Sequence, residues 1–322
     1  MVPPLIALEE HFLSNKINGA VERYQSVGAH LLPKLQSLGD ERLKDMDAGS
    51  LNLQVLSHTP LSAPADECRQ ANDQLAEACR NRPKRFAGFA MLPMQDPTAA
   101  ADELERAVTQ LGFVGALVNN HVEGTFYDDE KFWPVFERAV ELDVPIYLHP
   151  TFASDDMLEH YKGNYSDKTA FGLSTAAWGW HTETGLHILR LFASGLFDKL
   201  PGLKIAIGHM GEMLPFAFDR ILPLSKGWGD RKRDLKTVWA ENIWITTSGY
   251  FSLAPLSCLL QVSSVDKIMY SVDYPFSTNE KGLAFVKEMQ ASDLVDDEQL
   301  DKICYRNAEK LLRVSVRSET ES

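Results

Sequence analysis

Glu9, His11, His149, His209 and Asp273 carry groups that bind metals or move protons, and each falls at the end of a short apolar run. Glu9-x-His11 has the two-residue spacing that sends both side chains to one face of an extended segment, so a carboxylate and an imidazole can grip one divalent ion there. His149 and Asp273, arriving from other strands, complete a set of two nitrogens and two oxygens with positions left for water or substrate. The bland alternative is a rim residue satisfied by backbone hydrogen bonds. It competes for any one of the four taken alone, and much less for the set.

His209 opens the string His209-Met210-Gly211-Glu212. A helix starting just after His209 places Glu212 about one turn on, where its carboxylate can orient the ring as a His–Glu acid/base unit. A glutamate favoured by the helix dipole is the competing reading. His187, within a helical apolar stretch, reads as a packed core histidine, and His58 closes a strand. His30, His121 and His160 sit in loops with no partner in view. Trp178 and Trp180 in Ala-Trp-Gly-Trp-His can cover a flat ring or simply pack their own segment.

The elements that must position these groups alternate along the chain. Apolar, β-branched runs at 5–8, 53–57, 86–92, 114–119, 145–148, 204–208, 243–248 and 268–272 read as strands buried on both faces, as parallel strands are. Between them, amphipathic stretches at 65–81, 98–111, 131–142, 183–197, 280–290 and 298–312 read as helices. About eight strands alternating with helices favour a (β/α)8 TIM barrel, in which residues at strand C-termini assemble the site. Residues 1–314 are expected to form one metal-dependent barrel domain. The long Gly-, Ser-, Tyr- and Trp-containing insert near 150–184 is expected to act as a lid, and 315–322 as a polar tail.

With 45 Asp and Glu against 32 Lys and Arg, the 322-residue chain has a net charge of −13, which argues against nucleic acid and asks for a local cation if the substrate is an anion. Four scattered cysteines without a C-x-x-C pair read as reduced thiols. The N-terminus lacks the basic and long apolar segments of a signal peptide, and no run approaches a membrane span, so a cytoplasmic location is expected. No G-x-S-x-G elbow, P-loop or G-x-G-x-x-G occurs in usable context, which disfavours nucleophilic-serine and nucleotide-dependent chemistry.

Several strings occur in order from end to end: Ile-Ala-Leu-Glu-Glu-His-Phe, Leu-Gly-Phe-Val-Gly-Ala-Leu-Val-Asn, Val-Pro-Ile-Tyr-Leu-His-Pro, Leu-Phe-Ala-Ser-Gly-Leu-Phe-Asp, Ile-Gly-His-Met-Gly-Glu, Ile-Thr-Thr-Ser-Gly and Ser-Val-Asp-Tyr-Pro-Phe. Together they resemble the non-oxidative benzoate decarboxylases of the amidohydrolase superfamily, which act on γ-resorcylate (2,6-dihydroxybenzoate), 2,3-dihydroxybenzoate or salicylate. The resemblance implies metal ligation by Glu9, His11, His149 and Asp273, and catalysis by His209, Glu212 and Asp273. It further implies substrate contacts from Trp180 and Arg220. Arg220 lies roughly 16 Å past His209 if the helix is continuous, a distance that suits a neighbouring subunit's pocket in a homodimer or homotetramer.

The expected reaction is loss of CO2 from an ortho-hydroxybenzoate to give a phenol, in a reversible carboxy-lyase step. It needs one divalent ion (Zn2+, or Mn2+ or Mg2+) and no organic cofactor. Either Asp273 or His209 supplies the proton, with Asp273 the first choice. The alternative is a metal-dependent hydrolase of a lactone or amide. That chemistry often uses a His-x-His pair and a bridging lysine, where this chain has Glu9-x-His11 and Asn119-Asn120. A non-catalytic binding protein on a decayed barrel predicts a broken ligand set, and here the set is whole.

Overall fold

All eight apolar runs become strands in the computed structural model, which describes residues 2–316: β1 (Ile6–Phe12), β2 (Leu53–His58), β3 (Phe86–Gly88), β4 (Ala116–Asn119), β5 (Ile146–His149), β6 (Ile205–Ile207), β7 (Ile243–Thr246) and β8 (Ile268–Met269). They pair in parallel in chain order, β1 to β3 in one sheet and β4 to β8 in another. Parallel bridges Ala90↔Ala116 and Glu10↔Tyr274 join the two sheets at both seams. The result is a closed (β/α)8 barrel. Its core is continuous, with Leu5, Val55, Phe89, Ile146, Ile205 and Ile268 among the fully buried residues.

Strand ends shift where tertiary contacts overrule the apolar run. β1 continues to Phe12 rather than stopping near residue 8, because His11 N–H bonds Tyr274 O at 2.7 Å and extends the ladder. A register shift between Ala7 and Glu10 marks a bulge within it. β3 is shorter than expected. Gly88 lies so close to Phe113 that a Cβ would stand 2.7 Å from its ring, and the chain then leaves the ladder until the single bridge at Ala90.

Helices Ala65–Asn81 and Pro97–Leu111 stand where the spacing predicts them, the second capped by Asp96, whose carboxylate accepts Ala99 N–H at 3.1 Å. The expected helix at 298–312 is interrupted by a π-turn, Lys302–Arg306. The Ile303 carbonyl accepts Tyr270 N–H at 2.7 Å, which draws it out of the helical ladder toward β8. The insert contains two short helices, Asp155–Glu159 and Asp167–Ser174, before the long helix Gly179–Ser194, which starts four residues ahead of the expected position. Asn120 ties it down, accepting Thr151 N–H and donating to Thr184 Oγ1, both at 3.1 Å. All four cysteines are free thiols. Of the expected polar tail, 317–322 lie outside the described residues.

Candidate metal and acid/base site

Glu9, His11, His149 and Asp273 each place one ligand atom within 4.8 Å of the others at the C-terminal rim. Glu9 comes from inside β1, and its Oε2 accepts from Ser248 Oγ at 2.6 Å and from the Tyr147 hydroxyl. The opposite oxygen, Oε1, lies 3.1 Å from His149 Nε2 and 3.6 Å from His209 Nε2. His149 donates its Nδ1 proton to Pro150 O at 2.6 Å, which leaves the Nε2 lone pair facing the cluster. His11 Nε2 stands 3.3 Å from Asp273 Oδ1.

These atoms fit a cation. Glu9 Oε1 and His11 Nε2 are fully buried and make no well-directed hydrogen bond, although polar atoms crowd around them. Buried polar groups are nearly always satisfied, so two orphans converging on one point mark a site for a positive ion. Four donors of nitrogen and oxygen type match a divalent first-row metal. Burial alone would raise the Glu9 carboxyl, yet the facing His209 imidazolium holds it well below the usual carboxylate range.

The neighbouring Glu10 has the opposite fate. Its Oε1 accepts from Val272 N–H at 2.9 Å and Ser271 Oγ at 3.1 Å, and its Oε2 from Gln54 Nε2 at 3.2 Å. Burial outweighs these bonds and pushes its carboxyl up to about 8. Glu10 therefore stitches β1 to the β2 and β8 sides of the barrel, while Glu9 serves the pocket.

His209 Nδ1 and Glu212 Oε1 meet at 2.8 Å, as the spacing predicts, but no right-handed helix brings them there. Residues 209–213 all have positive φ, from 50° at His209 to 93° at Gly211, and only one of them is glycine. A left-handed turn costs ordinary residues roughly 1–2 kcal/mol each, so the surrounding packing imposes this one. The regular helix, Leu214–Ser225, begins after it. Burial would depress the His209 imidazolium, but the facing carboxylates of Glu212 and Glu9 raise it to about 10. Its Nε2 points to the metal cluster, 4.0 Å from Asp273 Oδ2.

Glu212 holds a second imidazole that the sequence reading passed over. His181 Nδ1 lies 2.8 Å from Glu212 Oε2, and its Nε2 donates to Ala176 O at 3.0 Å. His181, His209 and Glu212 are close enough to chelate, but their facing atoms already bond one another. They form a hydrogen-bonded relay, in contrast to the orphaned atoms of the first cluster.

Trp180 stands edge-on to Phe152, with ring centroids 5.6 Å apart, and its ring is 6.4 Å from His149. On the other side Phe276, also given no role by the sequence, lies 5.7 Å from the His11 ring. Trp178 is half exposed and is no part of this wall. His187 is a core histidine whose Nε2 accepts Tyr127 N–H at 3.0 Å, and His58 Nε2 likewise accepts Ser14 N–H at 3.0 Å. Arg220 is exposed on the helix Leu214–Ser225, and the break at 209–213 removes the continuous helix assumed for its distance. The structure does not bring it into this chain's own cluster.

A closed parallel barrel whose strand ends converge two imidazoles and two carboxylates is the architecture of metal-dependent barrel proteins. The amidohydrolase family model matches residues 20–314, and the chain belongs to that family. It is 50% identical to the decarboxylase orsB of Emericella nidulans, over 99% of this chain and 100% of the relative. It is 40% identical to a gamma-resorcylate decarboxylase of Rhodococcus jostii, over 84% of this chain and 88% of the relative. Among solved structures, a dihydroxybenzoic acid decarboxylase of Polaromonas sp. JS666, with bound manganese and the inhibitor 2-nitroresorcinol, superposes with a TM-score of 0.87 at 34% identity, covering 99% of each chain.

Proposed function

We propose that this protein is a metal-dependent, non-oxidative decarboxylase of ortho-hydroxybenzoates that releases CO2 and a phenol. The observation that carries the reading is the pair of orphaned buried atoms, Glu9 Oε1 and His11 Nε2, set beside a His–Glu acid/base pair in a chain similar throughout to decarboxylases. Glu9, His11, His149 and Asp273 are the proposed ligands, and Mn2+ is the first candidate because a structural relative holds it, ahead of Zn2+ and Mg2+. When bound, such an ion supplies Lewis-acidic positive charge for the substrate's carboxylate and its adjacent phenolic oxygen.

The chain's own residues do the rest. Trp180 and Phe276 offer flat walls on two sides of the ligand imidazoles, suited to an aromatic ring. Asp273 divides its oxygens, Oδ1 toward His11 and Oδ2 toward His209 Nε2, which supports a double role in binding the ion and carrying a proton. The proposed step transfers one proton from Asp273, backed by His209, to the ring carbon bearing the carboxylate. The C–C bond then breaks, its electron pair restores the aromatic ring, and CO2 leaves. The insert near 150–184 is the proposed lid.

Phe216, Arg220 and Leu224 recur at four-residue spacing on one face of the helix Leu214–Ser225, and Phe216 is 86% and Leu224 56% exposed. A cation between two exposed apolar side chains suits an interface that carries Arg220 into a neighbouring copy's pocket, in a homodimer or homotetramer. Among the described residues no helix is long and apolar enough to cross a membrane, and a cytoplasmic location is proposed.

The test is a Mn2+-loaded preparation offered 2,6-dihydroxybenzoate, 2,3-dihydroxybenzoate and salicylate. CO2 and the matching phenol are expected from at least one. No CO2 from any of them, or hydrolysis of a lactone or amide instead, overturns the reading.

A further inference from the structure

Resting on the decarboxylase reading, we infer that His181 is a positioning residue, which pins the second oxygen of Glu212 and thereby fixes His209 with Nδ1 toward Glu212 and Nε2 toward Asp273. A carbonyl oxygen only accepts, so the contact with Ala176 O assigns a proton to His181 Nε2. His181 Nδ1 and Glu212 Oε2 then share a second proton, and Glu212 Oε1 faces His209 Nδ1. Both oxygens of one buried carboxyl are thus engaged by imidazoles from two different elements.

The backbone supports the same assignment. Gly185 lies one helical turn after His181 and presses against Glu212, where a Cβ would stand 2.6 Å from the Glu212 carbonyl oxygen. His181 and Gly185 therefore seat the first turns of the helix Gly179–Ser194 directly on Glu212. Glu212 needs this second hold because it sits in the left-handed turn at 209–213 rather than in a stiff helix. Ala176, which receives the other His181 proton, is exposed and belongs to the insert. His181 consequently couples the placement of the insert to the orientation of His209.

Two conservative variants separate this role from simple packing. His181→Asn keeps an amide N–H near the Nδ1 position and can still hold Glu212, whereas His181→Gln keeps one near Nε2 and cannot. With the Mn2+-loaded enzyme and 2,6-dihydroxybenzoate, His181→Gln is expected to lower kcat about tenfold with KM changed less than about twofold, and His181→Asn to retain most of the rate. A readout independent of turnover is the downfield imidazole N–H region of the proton NMR spectrum in histidine-labelled protein. The His209 Nδ1–H signal is expected to move in His181→Gln and to stay in His181→Asn. If that signal is unmoved in both variants, or both lose activity equally, the inference fails. If wild-type enzyme releases no CO2 while the NMR pattern holds, only the decarboxylase reading fails.

Discussion

In the proposed reaction one carboxylate is asked to do two things. Asp273 offers Oδ1 to the ligand cluster and Oδ2 to His209, with a left-handed backbone (φ 66°) aiming it. Single-turnover decarboxylation in metal-replete Asp273→Asn is expected to fall by at least about 10²-fold, the usual worth of a positioned proton donor, and His209→Asn by a similar factor. Near-normal chemistry in Asp273→Asn with its metal retained assigns the proton to His209 instead. Glu9, His11, His149 and Asp273 were legible as a cluster because each follows closely on a short apolar run that becomes a barrel strand, and a polar residue after such a run is visible in sequence. His181 was not legible. It comes from the insert rather than a strand end, and only the turn at 209–213 tells which atoms it meets.

At the scale of elements, close approaches substitute for side chains. Gly208 precedes the left-handed turn, and a Cβ there would lie 2.6 Å from Glu9 Oε2 and 3.1 Å from the Tyr147 hydroxyl. Gly208→Ala must displace the Glu9 carboxylate while leaving every ligand present. Its Mn2+ affinity, read by metal retention on dialysis against a chelator, is expected to drop about 10–100-fold, as changes behind a ligand do. Unchanged affinity means that Glu9 is not held by this contact. The handedness of the turn was beyond the sequence, because Gly211 is the single residue in it that favours positive φ.

His187 anchors the loop after β4 through Tyr127 N–H, and burial, helped by the nearby charges of Arg190 and His121, lowers its imidazolium to about 3. In the unfolded chain it takes up a proton near 6.5. Between those values the unfolded state binds more protons, so the contribution of His187 is complete above about 6.5 and is lost as pH falls, by up to about 1.4 kcal/mol per pH unit. His187→Gln keeps an acceptor for Tyr127 N–H and removes the titration. Urea unfolding at intervals between about pH 7 and 5 is expected to show a shallower decline for the variant; equal slopes rule out His187 as a contributor.

For the whole molecule, the net charge of −13 repels an aromatic carboxylate at long range, so attraction must be local to the site. Within one chain the candidate ligand cluster supplies the place for a cation, and the buried Arg42 guanidinium is spent on the main chain beside it, donating to the His11 carbonyl at 2.6 Å. Arg220 is the nearest candidate by motif, and it faces outward between Phe216 and Leu224. A cavity of about 330 Å3 runs from Phe216 and Met213 to His209 and Tyr250, so the exposed face and His209 share one apolar passage. If a second copy covers that face, its arginine reaches toward a passage that is otherwise open to water. Phe216→Glu places a charge in the contact without touching any ligand or the His209–Glu212 pair. It is expected to yield monomers by light scattering that keep their Mn2+ but lose about 10²-fold in kcat/KM, the scale of a lost charge-assisted contact to a carboxylate. Arg220→Met is expected to reach the same loss while remaining assembled. A monomeric Phe216→Glu protein with full activity removes Arg220 from the pocket and leaves the barrel catalytically self-sufficient.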